Sequence, residues 1–485
     1  MNKADLIGIL PEIILCIFAM VILLVDVFTQ DKEDKITPLI LAIIGLALSS
    51  VASFSLLNSN YTVFNNMIIV DPFSNIFKII FYVSTLMSIL ISQKNLMIEK
   101  VNQGEFYVIV LFATVGMMVV AGAADILIIF LGIELMSLAL YILAGFIRRD
   151  IKSNEAALKY FILGSLATCV MIYGMSFIYG YTGSTNLYTI GKFLQDKSMY
   201  NNSSLIIGFV FITVGLCFKI SVVPFHLWTP DVYEGSLTTV TAFMSVGPKA
   251  AGFAALIRFL LIAMGVFKTD WAMILAILSI LTMSFSNVVA ILQSNIKRML
   301  AYSSIAHTGY IVIGLVAASR EPELGISSTI FYLLVYALMN IGAFAVVILI
   351  SNERTMEDKI ENFAGLSRTS PMYAFLMAVF MAALAGIPPT VGFAGKFYLF
   401  MSAIKARYTW LAVIGVINSV ISVYYYAKVI IKMYFYPPGE ESKKPERSNV
   451  LLYTISAAVI MVIFLGIFPE VVLNFAKKGI FLSRF

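Results

Sequence analysis

The chain has 485 residues, 60% hydrophobic and 12% charged, with a net charge of +6. Soluble domains are about 45–50% apolar and about 25% charged, so a globule of this composition would expose large apolar patches and aggregate. Disordered, collagenous and disulfide-stapled classes are excluded by the same numbers. What remains is an all-α polytopic membrane protein whose first partner is the lipid bilayer.

The modest charge is spread over loops, which argues against a nucleic-acid partner. Cys16, Cys169 and Cys217 are scattered in apolar runs and form no CxxC pair, so no iron–sulfur, zinc or haem attachment is expected. His226 and His307, the only histidines, are too isolated for a metal cluster. No glycine-rich phosphate loop follows a strand, so no nucleotide site is expected. The N-terminus lacks a basic segment and a small-residue cleavage site, which predicts that its first apolar run is a transmembrane helix rather than a removed signal.

A span takes about 20 residues. In chain order, runs of that kind cover 6–25, 36–57, 73–92, 106–121, 124–146, 159–181, 204–222 continued by 231–246, 248–267, 271–292, 301–318, 327–350, 371–387 continued by 391–405, 409–433 and 450–468. The prediction is 14 transmembrane helices. The runs lack the alternation of barrel strands and are about twice their length. The seventh and twelfth are broken, around Pro224 and around Pro388-Pro389, since proline removes a helix N–H and clashes with the preceding turn.

Pro224 and Pro388 are 164 residues apart, and Phe106 and Trp271, near the starts of the fourth and ninth spans, are 165 apart. Helices 4–8 and 9–13 therefore read as two five-helix repeats, each broken in its fourth helix. An odd number of spans per unit inverts the second, a pattern of transporters that keep their ion site at the repeat interface. The expected division is an N-terminal three-helix segment (1–103), a first repeat (104–268), a second, inverted repeat (269–436), and a loop with the C-terminal helix (437–485). One alternate set of loops carries 15 Lys and Arg and the other, with both termini, 10. By the positive-inside rule both termini face outside. Loop 58–71, on the outer side, has no Lys or Arg.

A few charges fall inside spans, where each costs about 2.5–3.5 kcal/mol or more. Glu134 is the only acid at mid-span. Lys219 lies five residues before Pro224, Lys249 follows Gly247-Pro248, and Lys396 follows Gly395 beyond the second break. A half-desolvated Glu134–Lys219 pair would tune the pKa of each member. It reads either as a static ion pair or as a proton-loading site. Lysines near helix ends also snorkel; one acid and three interior lysines together read as a chain of protonatable stations. His226, two residues past Pro224, and His307, in Ser303-Ser-Ile-Ala-His-Thr-Gly309, suit a proton relay. Glu155 and Lys159 form an i,i+4 pair, either a helix-end salt bridge at the cytoplasmic edge or a point of proton uptake. Tyr424-Tyr-Tyr426 and Tyr434-Phe-Tyr436 fit an interfacial aromatic belt.

Several segments resemble one family. Leu10-Pro-Glu-Ile-Ile14, Asp231-Val-Tyr-Glu-Gly235, Ser245-Val-Gly-Pro-Lys-Ala-Ala251, Asn295-Ile-Lys-Arg-Met-Leu-Ala-Tyr-Ser-Ser-Ile-Ala-His-Thr-Gly309 and Gly386-Ile-Pro-Pro-Thr-Val-Gly-Phe-Ala-Gly-Lys396 are similar to subunit N of respiratory NADH–quinone oxidoreductase (complex I). Its wider group includes the other antiporter-like subunits and the sodium/proton antiporters. The resemblance covers nearly the whole chain. It implies a 14-helix antiporter-like fold with two inverted repeats, and a mid-membrane proton axis on Glu134, Lys219, Lys249 and Lys396, driven by quinone reduction in other subunits. It implies no cofactor in this chain; NAD, FMN, iron–sulfur clusters and quinone belong to other subunits. It implies neighbouring antiporter-like and small membrane subunits as partners, in a bacterial cytoplasmic membrane. The alternative is a subunit of a cation/proton antiporter, or of a ferredoxin- or hydrogenase-linked complex. One departure stands out: Ser236-Leu-Thr-Thr-Val240 replaces the family's Ala-Pro-Thr-Pro-Val, which predicts a straighter second half of the broken seventh helix.

Overall fold

A computed structural model describes residues 2–28, 36–195, 203–351, 358–438 and 448–480. Lys32, Lys35, Lys197, Arg354, Lys443, Lys444, Arg447 and Arg484, which contribute to the orientation expectation, lie outside the described residues. Helix α1 (Lys3–Gly8) leads into α2 (Leu10–Phe28) and α3 (Ile36–Ser55). A hairpin, β1 (Tyr61–Val63) and β2 (Ile68–Val70), precedes α4 (Pro72–Ile98). Then come α5 (Glu105–Gly122), α6 (Ile126–Ala144), α7 (Ile151–Thr182), α8 (Leu187–Leu194), α9 (Ser203–Lys219), α10 (Trp228–Gly235), α11 (Thr238–Met244) and α12 (Gly247–Arg258). The remainder holds α13 (Lys268–Ile291), α14 (Ile296–Ala317), α15 (Pro322–Ile350), α16 (Leu366–Thr369), α17 (Pro371–Ala385), α18 (Val391–Lys405), α19 (Thr409–Phe435), α20 (Asn449–Ile467) and α21 (Glu470–Lys477).

Among the described residues, twelve helical runs are long and apolar enough to cross a membrane, with α11 and α12 counted as one run. Two further apolar helices, α9 and α17, are shorter, and they end at the two expected breaks. The runs through α12, α14 and α15 are each 94% buried, against 28% for α2. The first three are therefore the centre of the bundle, and α2 lies at its periphery. Small residues allow this density: α12 reads Gly-Pro-Lys-Ala-Ala-Gly-Phe-Ala-Ala, and small side chains let membrane helices approach closely. A Cβ added at Gly252 would lie 2.6 Å from Ile220 Cγ2 and 3.6 Å from Lys219 Cβ, so this glycine seats α12 against the end of α9.

The starts of α6 and α14 are tied in the same way. Asp125 bridges Asn186, after α7, and Asn295 bridges Lys359, after α15. Ile126 N donates to Thr185 O and Leu187 N to Ala124 O, just as Ile296 N donates to Asp358 O and Ile360 N to Ser294 O.

Three features depart from expectation. Segment 58–71 holds a hairpin rather than an irregular loop, with Tyr61 opposite Val70. Its turn takes positive φ at Phe64, Asn65 and Asn66, a region asparagine visits more readily than most residues. Leu56, Val63 and Val70 bury a small apolar cluster under it. The Asp5 carboxylate accepts Phe64 N at 3.0 Å and Asn2 N at 2.7 Å, and these amides hold it below the usual carboxylate range.

Second, acids are set into the protein at helix starts as well as at mid-span, where Glu134 stands. Lys78 pairs with Glu12 at 2.7 Å, and Arg258 pairs with Asp71 at 2.7 Å, both deep in the protein. Third, the second half of the seventh helix is not straight. It bends at Ser236–Leu237, where both residues have extended ψ angles. Tertiary contacts replace the prolines: Lys297 Nζ donates to the freed Ser236 O at 2.7 Å. Asn95 Oδ1 accepts Thr239 N at 3.1 Å and Thr239 Oγ1 at 2.9 Å, capping α11. Gly235 packs so closely on the Lys152 carbonyl that a Cβ would collide with it.

Candidate functional site

Backbone broken inside a membrane must find partners within the protein. At the first break the chain leaves α9 at Lys219 through Ser221, at φ 61°. Ser221 N reaches back to Phe218 O and Val222 N to Cys217 O. Val223 N donates to Thr282 Oγ1 at 3.1 Å, and Trp228 Nε1 donates to Phe218 O at 3.1 Å. Tyr160 stacks on Trp228, with centroids 4.4 Å apart. The break is thus rigidly held, and Lys219 sits at its lip.

Lys219 Nζ donates to Ser137 Oγ at 2.8 Å. Glu134, three residues earlier on α6, accepts Thr168 Oγ1 at 2.6 Å. Direct contact between Glu134 and Lys219, as their charges suggest, is not made. Thr168 on α7 turns the carboxylate aside, and Ser137 stands between the two groups on one helix face. The ammonium also lies 5.9 Å from the Tyr141 ring centroid and 5.5 Å from that of Phe218.

Across α12, Lys249 Nζ donates to Ser304 Oγ at 2.7 Å, Ser304 O at 3.0 Å and Thr308 Oγ1 at 3.3 Å. His307 is next on α14: Nδ1 meets Tyr332 OH at 2.7 Å and Nε2 meets Tyr426 OH at 3.0 Å, with Ser303 Oγ at 2.5 Å from the Tyr426 hydroxyl. At the second break, α17 ends in Gly386 at φ 86°. Lys396 Nζ donates to Ala385 O at 2.9 Å and to Ser419 Oγ at 2.9 Å. It thereby satisfies a carbonyl that the helix end leaves open. Tyr310 faces it, at 4.9 Å from the ring centroid. A Cβ at Gly392 would fall on the Ala383 carbonyl, so glycine permits α18 to start against the end of α17.

The other two sequence candidates stand apart. His226 is buried at the first break, with Nδ1 lacking a hydrogen-bond partner and the ring edge-on to Phe285 at 5.0 Å. Lys159 sits in a half-exposed ion network and makes no hydrogen bond to the buried lysines. It pairs with Glu155 and with Asp231, both at 2.7 Å. Arg298 joins Asp231 and Glu234, both at 2.8 Å. Reading charges alone missed Ser137, Thr168, Tyr332 and Ser419; Ser304 stands out in the sequence as a hydroxyl beside His307, and Tyr426, expected in an interfacial belt, is instead buried on His307. Among the described residues no group of three or more His, Cys, Asp or Glu is arranged to hold a metal ion.

Residues 123–422 match a family model described as NADH:quinone oxidoreductase/Mrp antiporter, TM. The NADH-quinone oxidoreductase subunit N of Trichlorobacter lovleyi is 46% identical over 474 residues, 97% of this chain and 96% of that protein. Subunit N 1 of Herpetosiphon aurantiacus is 41% identical over 98% of each chain. The chain belongs to the NADH-quinone oxidoreductase subunit N family. A chain of respiratory complex I from Thermus thermophilus matches with a TM-score of 0.80 and 31% identity, covering 96% of this chain and 99% of that one. A chain of the Mrp complex from a Dietzia species matches with a TM-score of 0.84 at 18% identity, over 99% and 97%, and shares the fold. The subunit N family is thus an antiporter-like family of membrane proteins.

Proposed function

We propose that this chain is a proton-translocating membrane subunit of an NADH–quinone oxidoreductase. It holds no redox group and couples quinone reduction elsewhere in the complex to proton movement along Glu134, Lys219, Lys249, His307 and Lys396. The observation that carries this reading is the seating of three buried lysines on uncharged oxygens: Ser137, Ser304 with Thr308, and Ala385 with Ser419. An ammonium locked on a carboxylate keeps its proton. One held by hydroxyl and carbonyl oxygens has no counter-ion in contact to trap it. Polar groups at this depth mark transport paths.

Lys159 takes the part of a proton-uptake point at the water-facing edge, and His226 that of a relay beside the first break. The 14-span organisation, with repeats over 104–268 and 269–436, belongs to this reading. The matching ties at the starts of α6 and α14 support it. To the same reading belong placement in a bacterial cytoplasmic membrane with both termini outside, contact with antiporter-like and small membrane subunits, and NAD, FMN, iron–sulfur clusters and quinone in other subunits; loop charge and the named relatives are the support for these.

The family description shared with Mrp antiporters favours a second reading, a subunit of a cation/proton antiporter or of a related ferredoxin- or hydrogenase-linked complex. One comparison separates the two. In proteoliposomes holding the whole complex, Lys219→Ala and Glu134→Ala are each expected to lower protons moved per quinone reduced. Wild-type coupling in both variants would sink the first reading. Sodium–proton exchange by the purified chain alone would establish the second.

A further inference from the structure

The N-terminal helices lie outside the family-matched span of 123–422, yet they bury charges that the proton path does not use. Glu12, in the first turn of α2, pairs with Lys78, in the second turn of α4, at 2.7 Å, with side chains 11% and 4% exposed. The pair is incomplete. Glu12 Oε2 has no hydrogen-bond partner. A lysine ammonium carries three donors, and among the described residues Lys78 has one acceptor, Glu12 Oε1. Buried charged groups normally have their remaining hydrogen-bonding capacity filled.

Both residues line a cavity of about 280 Å³. Its other walls are almost wholly apolar, with Ile9, Phe64, Ile69, Met118 and Val119 among them, and the hairpin closes one side. The site therefore sets an incompletely satisfied ion pair at the edge of an apolar trough. It lies within two turns of the starts of α2 and α4, about 10 Å along the helix at most, which is the depth where headgroups meet hydrocarbon. Water alone would serve the charges but not the apolar walls, since a buried water needs two to four polar partners.

We infer that this cavity binds a zwitterionic phospholipid whose head carries N–H donors, with its ammonium on Glu12, its phosphate on Lys78 and an acyl chain along the apolar wall beneath the hairpin. A choline head has no N–H and cannot donate to Glu12.

The test uses lipids with a photoreactive acyl chain, incorporated into membranes containing the assembled complex, with crosslinks mapped by mass spectrometry. The ethanolamine lipid is expected to label residues 64–70 and 118–122 about tenfold more than its choline analogue, the size of one hydrogen bond to a charged group. Glu12→Gln is expected to remove that preference. Val119→Phe fills the trough and leaves the ion pair intact; it is expected to suppress labelling by both lipids. Equal labelling by the two lipids in the wild type, or undiminished labelling in Val119→Phe, overturns the inference.

Discussion

Ser137→Ala is the sharpest perturbation of the proposed path. Ser137 is fully buried, accepts Lys219 Nζ at 2.8 Å, and donates to Ile133 O. The alanine variant keeps the helix and removes the one hydrogen-bond acceptor that the buried Lys219 ammonium has among the described residues. A hydrogen bond to a charged group is worth about 1.5–3 kcal/mol, which is roughly ten- to a hundredfold in an equilibrium at about 1.4 kcal/mol per factor of ten. Glu134, one turn back on α6, is then the nearest group that can compensate the charge, and Lys219 is expected to swing onto it. A lysine locked on a carboxylate passes its proton on slowly. The assay is protons taken up per quinone reduced by the intact complex in proteoliposomes, with quinone reduction followed separately in uncoupled membranes. Proton uptake is expected to fall about tenfold or more on this hydrogen-bond figure, while uncoupled quinone reduction stays near wild type. Ser137→Thr, which keeps the hydroxyl, is expected to rescue uptake. Wild-type uptake in Ser137→Ala, or equal impairment in Ser137→Thr, would refute the reasoning.

Two further predictions concern stability. Arg258 and Asp71 are 0% and 1% exposed, and Arg258 Nε also donates to Ala121 O at 2.8 Å. Arg258→Met strands the Asp71 carboxylate and is expected to destabilise the chain by about 3–5 kcal/mol, with Asp71→Leu in the same chain recovering most of the loss; thermal melting of the purified complex reads both, and an unchanged melting point in Arg258→Met would contradict the account. At the N-terminus, the Phe64 and Asn2 amides depress the Asp5 pKa below its ordinary 3.8. A depressed carboxylate stabilises the fold fully above the unfolded value and loses that contribution as pH falls through the folded one. Protection of the Phe64 amide against hydrogen exchange, taken relative to the intrinsic rate at each pH, is therefore expected to fall below about pH 4, and the change should vanish in Asp5→Asn.

Much of the site was legible because hydrocarbon makes charge rare. Glu134, Lys219, Lys249 and Lys396 stand out in apolar runs, and Pro224 and Pro388 mark the breaks beside two of them. Their hydrogen-bond partners were not legible. Lys219 selects a serine 82 residues away, and Lys249 selects one 55 residues away; hydroxyl residues are scattered along every span. Reading charge alone therefore pairs Lys219 with Glu134, whereas Ser137 and Thr168 hold the two apart. The bend at Ser236–Leu237 was invisible for a related reason. Without prolines it depends on Asn95 and Lys297, which lie on other helices. The hairpin was missed because three-residue strands are too short to show alternation.

Composition and hydropathy by themselves determined that this is a helical membrane protein, roughly where its helices run, where two of them break, and which charges are buried at a cost. Those properties follow from transfer of each side chain and peptide group into hydrocarbon, a sum over local segments. Tertiary structure alone decided which acceptor each buried ammonium rests on, how the second half of the seventh helix bends, and that Glu12 meets Lys78 beside an apolar cavity. These depend on distances of a few ångströms between segments remote in the chain. Gly252 against Ile220 and Gly392 against Ala383 show how closely such segments must approach.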